Sequence, residues 1–523
     1  MRIRHLLTLV LTVTAMPVVT AYGAEAAPRR PNIVLIVADD LGYRDIGAFG
    51  QDKIRTPNID RLAGEGVRLT AHYSGNTVCA PSRNVLLSGL HPGHTFIRDN
   101  KQAPQYARVT HEGQYPVPPG HLQLPLTLKR LDYATGGFGK WGLGPWNSTG
   151  NPNEQGMDRF YGYICQAVAH NYYPSYLWDN GKQVPLNNPE PDRKPRLADG
   201  ADPSDPRSYE PFVGGTDYAP DRIAEQALAF VREHKDQPFF LYYPTVVPHL
   251  GYQVPPDSLK EYEGKFPEEP YPGSGQYVPD RTPRATYAAM ITRMDREVGR
   301  IVSLIRELGL DDHTIFIFTS DNGAPGGIPT SYFNSGGIFR GGKGSIYDGG
   351  FRVPTIVRWN GRIKPGASSD RVTGFEDWLP TLVELVGDPS ATPANLDGIS
   401  FAPTLLGESQ EQRPFLYREF PARGGAQFVR SGDWKLIRHL GGPNAKTREF
   451  VGGGVARHPP GALDPELRAV EGDFELFDLA TDPSEQHNVA LDHPDIVARL
   501  AKLLDEQHAP SNVFPLAIDE KGN

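Results

Sequence analysis

Cysteine is nearly absent. The 523 residues hold two, Cys79 and Cys165. So thin a supply excludes a disulfide-stapled scaffold and leaves at most one bridge, between those two. Clusters of histidine and cysteine at zinc spacing are missing as well. Basic charge is not in excess: 53 Lys and Arg against 62 Asp and Glu give a formal net charge of −9. That argues against nucleic acid as the main partner. After the first residues no apolar run is long enough to span a bilayer, so no stable membrane anchor is expected in the mature protein.

The start of the chain differs from the rest. Arg2, Arg4 and His5 precede an apolar stretch over residues 6–20, and Ala24-Glu25-Ala26 offers small residues for cleavage. Residues 1–26 therefore read as an export signal, cut after Ala26 or, as second choice, after Gly23, which predicts a periplasmic or secreted protein. One core rarely exceeds about 250–300 residues, so two domains are expected. Continuous apolar, β-branched runs at 32–38, 238–243, 314–319 and 353–358 fit strands buried on both faces. Helical periods lie between them: Thr56-Pro57 opens one, and the stripe from Tyr287 to Ile305 sustains another. This is an α/β domain over 27–400 with a large, mostly parallel sheet flanked by helices. Past about residue 400 the pattern changes. Strand-like runs at 415–420, 427–430, 434–438 and 474–478, followed by a terminal helix, predict a smaller α+β domain over 401–523 built on an antiparallel sheet. Stretches 184–216 and 441–465, rich in Pro and Gly, read as long loops that either shape a substrate pocket or are plain insertions.

The chemistry gathers at strand ends. The first strand ends in Asp39-Asp40, and the strand at 314–319 ends in Ser320-Asp321-Asn322-Gly323. In open α/β sheets ligands sit at the carboxyl ends of strands. Adjacent buried carboxylates need positive charge beside them, and an all-oxygen set suits Ca²⁺ or Mg²⁺. Cys79 opens Cys79-Ala80-Pro81-Ser82-Arg83 at the start of an apolar helix, where the macrodipole favours negative charge. By itself this supports either a reactive cysteine or a buried small hydrophobe.

Taken together these segments resemble the sulfatases of the alkaline phosphatase superfamily. Cys79-Ala80-Pro81-Ser82-Arg83 looks like that family's Cys-X-Pro-X-Arg signature. The opening strand with Asp39-Asp40, the helix from Thr56 to Ala63, Gly139-Lys140-Trp141, Ser320-Asp321-Asn322-Gly323 and Gly342-Lys343-Gly344 with Asp348 to Pro354 follow in the family's order. Trp434 to Ile437, Glu475 to Leu479 and Asp482-Pro483 resemble its C-terminal part. The resemblance spans nearly all of 31–507.

It implies an alkaline phosphatase-like fold and a sulfuric ester hydrolase acting on an aryl or, preferably, a carbohydrate sulfate. It implies that Cys79 is oxidised by a formylglycine-generating maturation enzyme, and that the hydrated aldehyde attacks sulfur through a covalent sulfo-enzyme. A calcium ion, with magnesium as the alternative, is implied at Asp39, Asp40, Asp321, Asn322 and the modified residue 79. Lys140 and Lys343 are expected to bind sulfate oxygens, Arg83 to hold the diol and a metal ligand, and His249 to protonate the leaving alcohol. Many relatives read Gly-Lys-Trp-His-Leu-Gly where this chain has Gly142, and His170 is the expected substitute for the missing histidine. His94, Arg98 and Asn100, with Asp99 beside them, are expected to reach a polar substrate, and Tyr172, Tyr173 and Trp178 to form an aromatic wall. Two alternatives stay open: a phosphonate or phosphodiester hydrolase with the same nucleophile, and an unmatured protein that binds sulfated glycans.

Overall fold

The computed structural model describes residues 29–110, 112–190, 195–275, 277–440, 448–451, 454–457 and 474–519. The export signal read into residues 1–26 and most of stretch 441–465 lie outside them. Ten strands make one sheet: β1 (Asn32–Ala38), β2 (Val67–Leu69), β3 (Ala134–Lys140), β4 (Arg159–Tyr163), β5 (Tyr176–Asp179), β6 (Lys182–Pro185), β7 (Phe239–Pro244), β8 (Thr314–Ser320), β9 (Thr355–Trp359) and β10 (Ala367–Ser369). Their order in space is β10-β2-β9-β8-β1-β7-β3-β4-β5-β6. The five central strands from β8 to β4 are parallel.

Strand β9 departs from the sequence expectation. Its apolar run is buried on both faces, but it pairs antiparallel with β8 and β2. Burial on both faces makes a run continuous, and parallel pairing is only the commonest reason for it.

Helices cover both faces. On one face Pro283–Glu307 buries Tyr287, Met290, Ile291, Met294, Val298, Ile301, Val302 and Ile305, the stripe read from the sequence. Each such aliphatic side chain contributes about 1.5–3 kcal/mol. On the other face lies Cys79–Ser88, whose ten residues are all buried. Its stop is a left-handed Gly89, a conformation glycine adopts without a Cβ penalty.

A second sheet of four antiparallel strands follows: β11 (Leu416–Phe420), β12 (Ala426–Ser431), β13 (Trp434–His439) and β14 (Phe474–Asp478). Side chains alternate across it. Tyr417, Val429, Leu436 and Leu476 pack on Leu500 and Leu504 of the helix Pro494–Glu506. Leu416, Phe428, Ile437 and Phe477 pack instead on Tyr73, Ile346, Tyr347 and Phe351. The second sheet therefore presses on the chain just before Cys79 and on the segment that carries Lys343.

Candidate active site

Four neighbouring strands deliver side chains at their carboxyl ends. Strand register pairs Ala38 with Ser320, so Asp39-Asp40 and Asp321-Asn322 emerge side by side. The Asp40 amide donates to Asp321 Oδ1 at 3.1 Å, and Asp40 takes a left-handed φ of 66°. Beyond β7 the chain turns to place His249, and β3 ends in Lys140. Cys79 is the first residue of its helix and Arg83 lies one turn on, on the same face. The Arg83 guanidinium donates twice to Asp321 Oδ2, at 3.0 and 2.9 Å, and once to the Lys140 carbonyl at 2.6 Å.

The cluster is dry and crowded. Asp39, Asp40, Asp321, Asn322, Cys79, Arg83 and Lys140 are essentially without solvent exposure. Lys140 Nζ lies 2.6 Å from Asp39 Oδ2, and Lys343 Nζ lies 2.7 Å from Asp40 Oδ1. The Cys79 thiol donates to Asp39 Oδ1 at 3.2 Å, with Lys343 Nζ 3.5 Å from the sulfur. Burial and the Asp39 carboxylate push this thiol well up, so the encoded cysteine is not a thiolate nucleophile. Burial and Asp39 also push Asp321 up to about 7. Burial would raise Asp39 too, but Lys140, His249, Arg83 and Lys343 outweigh it and hold the carboxyl well below its usual range.

His249 has its tautomer fixed. Its Nδ1 lies 2.8 Å from the Leu250 carbonyl and donates to it, so Nε2 accepts from Lys343 Nζ at 3.1 Å. Burial and the Lys343 charge hold the imidazole well below its usual pKa, hence neutral. His170 stacks on it, with ring centroids 4.3 Å apart and planes 9° from parallel.

The donor set fits a hard divalent cation. Asp39, Asp40, Cys79 and His249 bring ligand atoms within 4.8 Å of one another. Asn322 donates from Nδ2 to Asp40 Oδ1 at 2.7 Å, but its buried Oδ1 has no hydrogen-bond partner. A buried carboxamide oxygen beside three carboxylates is a ligand atom for an oxygen-seeking ion.

Other expectations fare differently. Both cysteines are free and buried, so no bridge joins Cys79 to Cys165. Asn100 Oδ1 accepts from the Ala80 amide at 3.0 Å and so satisfies a first-turn donor of the Cys79 helix. Arg98, buried, pairs with Glu419 at 2.8 Å and with the Ala509 carbonyl. His94 pairs with Asp397 and stacks on His91. Tyr172 cannot wall a substrate: it is fully buried and donates to the Val246 and His249 carbonyls, fixing the His249 turn. Trp178 donates to Glu112. Tyr173 does face a cavity of about 570 Å³, together with His170, Tyr176, Phe212 and Val213. Part of stretch 184–216 lines that cavity beside the histidine pair.

Sequence reading missed the tier behind the site. The Gly344 amide donates to Thr77 Oγ1 at 2.7 Å, tying the Lys343 loop to the approach to Cys79. Lys435 of β13 pairs with Asp348 at 2.7 Å, and the Asp348 amide donates to Glu485. These contacts join residues far apart in the chain, and no local pattern signals them.

Comparison with known proteins gives the family. The profile of the Sulfatase family covers residues 31–388, and one described as N-sulphoglucosamine sulphohydrolase, C-terminal, covers 338–446. The chain is 30% identical to the N-acetylgalactosamine-6-O-sulfatase of Bacteroides thetaiotaomicron, over 91% of this chain and 93% of that protein. It is 32% identical to human arylsulfatase A, over 91% and 88%. Among solved structures, one from work on glycosaminoglycan metabolism by Bacteroides thetaiotaomicron has a TM-score of 0.67 at 26% identity, covering 91% of this chain and 99% of that one. The alkaline phosphatase-like architecture is shared with Ps i-CgsB, at a TM-score of 0.69 and 24% identity, covering 91% and 92%.

Proposed function

The chain belongs to the sulfatase family and is an enzyme that hydrolyses sulfate esters; from that premise we propose that its substrate is a sulfated carbohydrate, attacked by a formylglycine made from Cys79 with Ca²⁺ held by Asp39, Asp40, Asp321 and Asn322. The observation that carries this reading is the single buried cluster in which those four residues surround Cys79 while Lys140 and Lys343 stand beside it. The cation, when bound, supplies a Lewis acid that favours deprotonation of the hydrated aldehyde and draws charge from the sulfuryl oxygens.

The chain's own residues do the rest. Arg83, with two bonds to Asp321, ties that carboxylate to the nucleophile helix. Lys140 and Lys343 offer rigid point charges to the sulfuryl oxygens in a medium where each counts for more than in water. Lys343 donates to the acceptor nitrogen of His249, so the proton this pair can offer to a leaving oxygen is the one Lys343 holds against Nε2. Three carboxylates face three cationic side chains here, so a divalent ion leaves the site positive and suited to an anionic ester. A carbohydrate is favoured over a simple aryl group by the cavity beside His170. Its aromatic and proline lining offers flat faces to a sugar ring, and Glu190 stands on its wall as an acceptor for hydroxyls. The relative from Bacteroides thetaiotaomicron is named for a sugar sulfate. The protein is exported to the periplasm or medium and meets a maturation enzyme on the way.

Intact-peptide mass spectrometry on protein from its native host tests the nucleophile. The Cys79 peptide is expected to be lighter than encoded by roughly 18 Da, as H₂S is lost and oxygen gained. A screen of sulfated mono- and oligosaccharides, aryl sulfates and aryl phosphodiesters tests the substrate. Active material with an unmodified cysteine, or faster turnover of the phosphodiester than of every sulfate ester, defeats the reading.

A further inference from the structure

We propose that Gln166 is a substrate-binding residue whose carboxamide donates to a sulfuryl oxygen from the space that a side chain at position 142 would fill. This rests on a sulfate ester being the substrate.

Gly142 stands two residues past Lys140, with φ at +77°. Its amide donates to the Ile164 carbonyl at 3.1 Å, and the Trp141 amide donates to that of Tyr163 at 2.9 Å. The main chain after β3 is thus fixed against the end of β4, two residues before Gln166. A Cβ built on Gly142 would lie 1.9 Å from Gln166 Nε2 and 2.6 Å from its Cδ. Those separations are far inside van der Waals contact, so with Gln166 in this rotamer no side chain fits at 142. Glycine at 142 is what lets the amide in.

The amide is otherwise unexplained. Gln166 is 4% exposed, and neither Nε2 nor Oε1 has a hydrogen-bond partner. A buried carboxamide unpaired at both ends forfeits its hydration with nothing in return from the chain, so a native protein keeps one where a ligand supplies the partner. The surroundings say which ligand. On one side is the strand end that carries Lys140. On the other is the turn 167–171, which brings His170 onto His249, itself in contact with Lys343. Ala167, Val168 and His170 line the adjoining cavity. The charged side chains that these two segments bring are Lys140 and, through His249, Lys343, and the carboxylates beside them are already engaged by Lys140, Lys343 and Arg83. A ligand that suits such a wall is anionic and rich in acceptors, which describes the sulfuryl group. A neutral N–H donor adds directional binding there without further charge.

Two variants test this. Gln166→Glu keeps the shape, removes the donor and adds negative charge; Gln166→Met keeps the length and removes both polar ends. Steady-state kinetics on a sulfate ester, affinity for inorganic sulfate by calorimetry, and thermal unfolding are measured on the full chain. A hydrogen bond to a charged partner lost from the site predicts kcat/KM lower by about 10- to 100-fold and sulfate affinity weaker by a similar factor, Glu worse than Met. The Met variant keeps or raises its Tm, because an unpaired buried amide has gone. Unchanged kcat/KM and unchanged sulfate affinity in both variants overturn the proposal. So does a lowered Tm with sulfate affinity intact, the signature of a packing role. A wild-type chain that binds sulfate but cleaves no sulfated sugar refutes the carbohydrate reading alone, and Gln166 is then judged on sulfate affinity.

Discussion

Two buried clusters of charge lie close together in this molecule, and they follow opposite rules. Between the two sheets the charges are paired with one another, although burial still pushes the Glu485 carboxyl up to about 7. Arg418 donates to both carboxylate oxygens of Glu376, at 3.0 and 2.9 Å, and to the Ser74 and Tyr417 carbonyls. Burial would raise the Glu376 carboxyl, but Arg418 and Arg413 outweigh it and hold it down to about 2. Lys435 lies 2.7 Å from both Asp348 and Glu485. At the reaction centre a group is left over: the buried Asn322 Oδ1 has no hydrogen-bond partner, and behind the strand end that carries Lys140 the Gln166 amide has none either. A saturated cluster is a fixture that holds segments 73–79 and 340–352 in place. An unsaturated one is a receptacle, with its missing partners supplied by cation and substrate.

Removing a member should therefore separate activity from stability. The largest effect is expected for Cys79→Ala: turnover of a sulfate ester falls by at least about 10³-fold, with a Tm close to wild type, because a small buried group without a charge is lost. Comparable turnover in the variant would end the case for residue 79 as nucleophile. Arg418→Met is expected to do the reverse. It strands Glu376 without its bidentate partner and costs about 3–5 kcal/mol in urea unfolding, while turnover per folded molecule stays near wild type. Lys343→Met sharpens the contrast. It lowers kcat/KM by about 10²-fold, and its stability loss is smaller in calcium than in chelator, since a cation replaces the partner Asp40 has lost. Arg418→Met shows no such dependence on calcium. Equal losses in both media for Lys343→Met would mean that its cluster, too, is only a fixture.

What the sequence made legible follows from range. β1, β7 and β8 carry continuous apolar runs, and their strand-end residues Asp39, Asp40, Asp321 and Asn322 stand next to them in sequence. β3 carries no such signal. Its residues Ala134–Lys140 include three glycines, and a Cβ at Gly139 would lie 2.0 Å from the Pro244 carbonyl. The spacing of neighbouring main chains chose those residues, against β propensity, and a single sequence does not display a neighbour. Arg98 shows the same limit from the other side. A basic residue just after the nucleophile helix invites a substrate role, yet its partner Glu419 comes 321 residues later. His170 is a candidate in the sequence only through the resemblance of its segment to one in other sulfatases, and its stacking on His249 needs the fold.

The smallest effect concerns the end of the chain, and it tests whether saturation reaches that far. His508 lies 2.8 Å from Glu419 through Nδ1 and 2.7 Å from Asp519 through Nε2. Burial would lower its pKa, but the two carboxylates outweigh burial and raise it above the ordinary 6.5. Glu419 also meets Arg98 and the Tyr417 hydroxyl, so the acid is shared and the shift is tempered. A histidine whose folded pKa exceeds its unfolded one binds more protons when folded. Its contribution is thus complete below about 6.5 and fades as pH rises through the raised value. His508→Gln should lower Tm by a few degrees near pH 6 and by less near pH 9, where wild type has already lost the charge. A deficit that is constant across this range, or grows with pH, would show that His508 acts as a neutral hydrogen-bonding spacer and that the ionic brace stops at Glu419.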